Sequence, residues 1–247
     1  MKFLMANWYI FSIPFLYGMM LLIEFISQYS RVAGYFLDRN AIAYSLQNTT
    51  FTLTRFFSVL LMPLIGLMVD SNYTPGIFIA CVLISYFFVS ILGIMVFINR
   101  MHICAFYIRF IRSYINGGGI IKSFINTIRN KHEELGCDIQ EVKSYKIDFK
   151  YFYISSFVYS IHAIGVFMTF YLALISPTNK IMITQMSGVI NAFATLLLTF
   201  KIDPALSVAI ERRYNFISAF MSIFYARIFV FLFIAPFIFI MLYITTA

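Results

Sequence analysis

Apolar residues gather along the chain into six long runs, at about 6–29, 41–69, 76–98, 151–175, 181–210 and 215–244. Each reaches the ~20 predominantly apolar residues that a helix needs to cross a hydrocarbon core. The predicted fold is an all-α integral membrane protein with six transmembrane helices, forming a single polytopic membrane domain over residues 1–247. The second and fifth runs are long enough to tilt or kink, and each has a proline near its later end, Pro63 and Pro204. At Asp203-Pro204 a break in the helix is expected, because proline lacks an N–H and clashes with the carbonyl four residues back.

Polar positions inside these runs repeat. Setting Pro63 against Pro204 also aligns Thr54 with Thr195 and Asp70 with Glu211, and brings Tyr17 near Tyr159. Each half then holds three spans, an odd number, so the halves have opposite orientation. Two inverted three-helix repeats are expected, with a site between them near the midplane, as in many transporters.

Charge sets the orientation. Half of the 18 Lys and Arg residues fall in the segment 100–150, which places it in the cytoplasm by the positive-inside rule. Arg31 and Arg39, and Arg212 and Arg213, then mark short cytoplasmic loops, and both termini lie outside. Lys2 before an apolar run imitates a signal peptide, but the run to Ile23 exceeds an h-region and no small-residue cleavage site follows. It is taken as the first membrane helix. Within the basic segment, Ile103–Ile115 alternates apolar residues with Arg109 and Arg112, the pattern of an interfacial helix, and Gly117-Gly118-Gly119 ends it.

With 62% hydrophobic and 11% charged residues, the chain has little soluble mass. The net charge of +8 is accounted for by anionic membrane lipids rather than nucleic acid. The 30 Phe and 17 Tyr are expected mainly at the lipid-facing surface and interface belts. Cys81, Cys104 and Cys137 show no CxxC spacing, and His132-Glu133-Glu134 is not a zinc-protease motif, so no cofactor or metal is implied. No nucleophile–base pair stands out, and an enzyme is the weaker class.

Charges at membrane depth are costly and seldom idle. Arg55 lies near the centre of the second span, on a stripe of Ser45, Asn48, Thr52, Arg55 and Ser58 at spacings of three and four. It either pairs with Glu24 or Asp203 or serves an anionic ligand, and the second reading is preferred. Arg227 is equally deep in the last span. Glu24, Lys201 and Asp203 fall in the cytoplasmic third of their helices and with Arg31, Arg212 and Arg213 outline a charged mouth. Glu24 or Asp203 could carry a coupling proton or cation; equally, Lys201 and Asp203 could neutralise each other. His162 is read as a hydrogen-bonded packing residue.

Tyr29–Gly34 (YSRVAG), Leu53–Gly66 (LTRFFSVLLMPLIG) and Ser187–Val208 (SGVINAFATLLLTFKIDPALSV) resemble the Amj family, bacterial lipid II flippases that serve as an alternate to MurJ. The likeness covers about the whole chain and its six-span layout; the basic segment and Lys201 depart from it. It implies a polyprenyl-pyrophosphate-linked sugar lipid as substrate, moved from the inner to the outer leaflet of the cytoplasmic membrane. Arg31 and Arg212–Arg213 would recruit the headgroup, and Arg55, flanked by Asn48 and Asn191, would hold the pyrophosphate midway. Pro63 and Pro204 would let one repeat rock against the other. Six spans make a thin bundle for so large a headgroup, which favours a homodimer. Three other readings stay open: a flippase for another undecaprenyl-linked oligosaccharide such as an O-antigen unit, a non-transporting partner of an envelope-synthesis enzyme, and an intramembrane hydrolase of lipid pyrophosphates. Arg55 facing lipid or a subunit seam would favour the non-transporting partner, whereas His162 within hydrogen-bond reach of Arg55 would point to the hydrolase.

Overall fold

The computed structural model describes residues 8–71, 73–117, 119–129 and 139–246. Lys2, Gly118, Lys131, His132-Glu133-Glu134 and Cys137 lie outside the described residues, as does the expected start of the first helix at residues 6 and 7. The described residues are all helix and connecting turns, without a strand. Eight helices carry the fold: α1 (Trp8–Leu37), α2 (Asn40–Asp70), α3 (Pro75–Ile98), α4 (Arg100–Ile115), α5 (Ile120–Arg129), α6 (Phe149–Ile175), α7 (Lys180–Glu211) and α8 (Phe216–Thr246). Six of them, all but α4 and α5, are long and apolar enough to cross a membrane.

Their ends follow local chemistry. Pro75 opens α3, where its missing N–H costs nothing. Asp148 caps α6 by accepting hydrogen bonds from the backbone N–H groups of Lys150 and Tyr151. Gly117 ends α4 at a φ of 85°, a conformation that glycine adopts without strain.

Two boundaries differ from expectation. The first helix continues past residue 29 to Leu37, so Arg31 is a buried helical residue and not part of a loop. Packing holds these roughly two extra turns in place: Tyr29 is fully buried against Phe220 and Phe224, and the Ser30 hydroxyl donates to the Ala43 carbonyl at 2.9 Å. Nor does Pro204 break α7. A π-helical turn at Leu198–Ile202 precedes it, and the helix then runs on to Glu211. The wider turn shifts the hydrogen-bond register and absorbs the defect that the proline imposes. A second π turn, Val230–Ile234, follows Arg227 in α8.

α1 packs along α2 and α3, and α6 packs along α7 and α8, so each trio is arranged around its first helix. α3 also meets α6 and α8, which joins the two trios. Much of the aromatic load builds this core and does not face lipid. Tyr17 sits edge-on to Phe167 with ring centroids 5.0 Å apart, and the Tyr86 hydroxyl donates to the Ala163 carbonyl at 2.9 Å. Cys81 and Cys104 are buried thiols. α4, expected at the membrane interface, instead buries Cys104, Tyr107, Ile108 and Ile111 and packs on α1.

Candidate functional site

α1 carries the two side chains around which the site is built. Glu24 and Arg31 stand seven residues apart, hence on one face of the helix, about 10 Å from each other along it. Each finds its partner on a distant helix. Arg31 donates through Nη2 to Asp203 Oδ1 of α7 at 2.9 Å, and through Nε to Gln47 of α2. Arg227 of α8 donates through Nη2 to Glu24. Three of the four charged residues are almost wholly buried: Arg227 at 1% exposure, Arg31 at 5% and Glu24 at 6%.

Aromatic rings complete both cation sites. The Arg227 guanidinium lies 4.6 Å from the Phe25 ring centroid and 5.1 Å from that of Tyr159; Arg31 lies 4.8 Å from that of Tyr44. Such faces attract a cation, the more so when water is excluded. Each guanidinium still keeps a donor in reserve, because Arg31 Nη1 and Arg227 Nε are buried without a hydrogen-bond partner. Unsatisfied buried donors are unfavourable, and in a native structure they call for a cause. His162 Nδ1 and Asn191 Oδ1 are likewise buried and unpartnered.

All four charges line one cavity of about 210 Å³, together with Gln28, Gln47, Asn48, Tyr159 and His162. Two arginines against two carboxylates leave that lining formally neutral, His162 aside. Its rim runs between α2 and α7: Asn48 and Phe51 on one side and Thr195 and Thr199 on the other line the cavity and are exposed. The cavity therefore opens sideways, towards the surface that lipid would cover.

Of the residues singled out in the sequence, Glu24, Arg31, Asn48, Asp203 and Arg227 meet in this cavity. Arg55 does not line it. It is exposed on α2, seven residues beyond Asn48 and so on the same side of the helix, while His162 lies in the cavity wall. Asn191 is half-buried one turn from Thr195, outside the lining. Lys201 is exposed, and Asp203 is neutralised by Arg31 rather than by it. Arg213 pairs at the surface with Asp38. Sequence reasoning passed over Tyr44, Gln47 and Gln28; the signal available was their spacing, since Gln28 falls between Glu24 and Arg31, and Tyr44, Gln47 and Asn48 share a face of α2.

Among the described residues no group of three or more His, Cys, Asp or Glu could hold a metal ion. A six-span helical bundle with a polar, charge-lined cavity at membrane depth is the construction of a multi-pass membrane transporter. The chain belongs to the Amj family, described as alternate to MurJ, which matches residues 16–237. Membership is consistent with a flippase role for a lipid-linked sugar and with a place in the cytoplasmic membrane. No curated protein and no solved structure matches the chain.

Proposed function

We propose that the protein flips lipid II, the undecaprenyl-pyrophosphate-linked peptidoglycan precursor, from the inner to the outer leaflet, and that Arg31 and Arg227 hold its pyrophosphate. The observation that carries this reading is the pair of unpartnered arginine donors, Arg31 Nη1 and Arg227 Nε, in a cavity open to the side. Guanidinium groups meet phosphate oxygens through paired N–H donors, which a lysine ammonium does not reproduce. A flippase has to shelter the charged part of the headgroup while the prenyl tail stays in lipid, and a sideways mouth permits both.

Depth supports an order of events. Arg31 lies six residues before Leu37, about 9 Å from the end of α1 that leads to the basic turn, and Arg227 lies eleven residues into α8, about 17 Å from its basic end. A headgroup arriving from the cytoplasm meets Arg31 first, then Arg227. Arg55, beyond Asn48 on the same side of α2, is the next cation outward. The cavity volume is below the ~300–1,000 Å³ of a drug-sized site, so it suits a pyrophosphate but not the attached sugars and peptide. Those remain in the mouth until α2 and α7 part, with the π turn before Pro204 as the hinge. A second copy facing the mouth, in a homodimer, would enclose them.

Binding tests this reading. The protein in lipid nanodiscs is titrated with lipid II, with undecaprenyl phosphate as the comparison. The reading expects tighter binding of the pyrophosphate lipid and a loss of at least tenfold in Arg31→Gln, about 1.4 kcal/mol for a charge-assisted contact. Equal affinity for both lipids, unaffected by Arg31→Gln, would remove the arginine pair from the mechanism.

A further inference from the structure

The faces of α5 are reversed relative to a helix in water. Its small polar residues Ser123 and Thr127 are buried, at 0% and 3% exposure, and Asn126 faces inward towards Ser113. Its large apolar residues point outward, led by Ile121 at 77% and Ile125 at 58%, with Ile120, Phe124 and Ile128 beside them. On a helical wheel these five residues fill one continuous arc, and Lys122 and Arg129 stand together at its edge. Buried polar and exposed apolar faces are stable together where the surroundings are hydrocarbon. Yet α5 has 10 residues, about 15 Å of helix and half a hydrocarbon core, so it cannot span.

We infer that α5 is a membrane-interface helix that binds anionic phospholipid of the cytoplasmic leaflet, with its apolar arc among the acyl chains and Lys122 and Arg129 at the headgroups. The charge fits, since the segment around α5 carries half of the basic residues and the cytoplasmic leaflet is negative. Continuity also fits. An apolar crevice of about 290 Å³, lined by Ile42, Leu46 and Thr49 of α2, Phe110 and Tyr114 of α4 and Ile120, joins α5 to the first turns of α2. That wall of α2 backs directly onto the cavity, whose residues Tyr44, Gln47 and Asn48 lie on the other side of the same turns. A lipid chain seated in the crevice thus bears on α2 where it borders the mouth. The interfacial element is α5, while the segment 103–115 that the sequence suggested packs on α1 and buries Cys104, Tyr107, Ile108 and Ile111.

Depth-resolved fluorescence tests this on the whole protein. The single tryptophan, Trp8, is replaced by Phe, and Ile121→Trp or Ile125→Trp supplies the probe in nanodiscs containing lipid brominated near the headgroup end of its chains. Val59→Trp, exposed on α2, and Lys143→Trp, exposed in the basic segment, bracket the response. The expected result is quenching at 121 and 125 as strong as at 59, with protection from aqueous iodide. Brominated phosphatidylglycerol should quench more than brominated phosphatidylcholine, by roughly fivefold in apparent affinity per basic residue, and the paired changes Lys122→Gln and Arg129→Gln should abolish that preference. Iodide quenching like that of Lys143→Trp places α5 in water and overturns the inference. Protection from both quenchers means that protein covers the arc and overturns it equally; equal quenching by the two lipids removes the anionic headgroup from it.

Discussion

Glu24→Gln, Arg227→Met and the two together form a cycle whose outcome follows from the structure. The Arg227 and Glu24 side chains are 2% and 8% exposed, so removing one partner leaves the other charge in apolar surroundings. In soluble proteins that change costs about 3–5 kcal/mol, whereas replacing both partners with groups of similar size is close to neutral. The cost is moderated in a membrane, because inserted but unpacked helices also find partners for polar groups. Here the retained Arg227 keeps the Phe25 and Tyr159 faces, which further offsets the loss. Each single change is therefore expected to destabilise by about 3 kcal/mol, or roughly 6–12 °C in melting temperature at 2–4 °C per kcal/mol. The double variant should melt within about 1 kcal/mol of the parent, equivalent to a few degrees. Thermal unfolding of the four proteins in one detergent, followed by tryptophan fluorescence and by loss of monodispersity, gives the comparison. A double variant destabilised by the sum of the singles would show that Glu24 and Arg227 act independently, and the pairing would be refuted.

Other consequences are local. A side chain at Gly34 would overlap Ala43 where α1 and α2 touch, so Gly34→Val should cost about 1–3 kcal/mol, seen as a lower melting temperature, while Gly188→Ala, with open space around it, should not. The Arg213–Asp38 pair is exposed, and Arg213→Gln should leave the melting temperature unchanged. Arg55→Lys should lower transport in reconstituted vesicles, because an ammonium lacks the fork that grips two phosphate oxygens; full transport would show that Arg55 makes no bidentate contact.

The spans were legible because hydrocarbon thickness imposes a minimum apolar length, and the deep charges because burying them is costly. What the one-dimensional pattern could not supply was partnership. Glu24 and Arg227 are 203 residues apart, and on depth alone Glu24 or Asp203 could have paired with Arg55. Only the crossing of α1 with α7 and α8 decides that Arg31 takes Asp203 and Glu24 takes Arg227. Pro204 was visible, but not the π turn that accommodates it, since that depends on hydrogen-bond register along the whole helix. The apolar arc of α5 was passed over in favour of 103–115, because a hydrophobic face reads the same whether it meets protein or lipid. Arg55 reversed that problem: its stripe was found, while the side of α2 that faces the cavity turned out to begin lower, at Tyr44, Gln47 and Asn48.

The most direct test of the central claim is made in bacteria depleted of their own lipid II flippase. Cells express the parent protein, Arg31→Gln, or the charge-neutral pair Glu24→Gln/Arg227→Met, and the fraction of lipid II cleaved by an external enzyme that cannot enter is measured. Restored cleavage with the parent, and loss with both variants at equal membrane levels, is the predicted result. Restoration by all three proteins would contradict an arginine-held pyrophosphate, and no restoration by the well-expressed parent would contradict lipid II as the substrate.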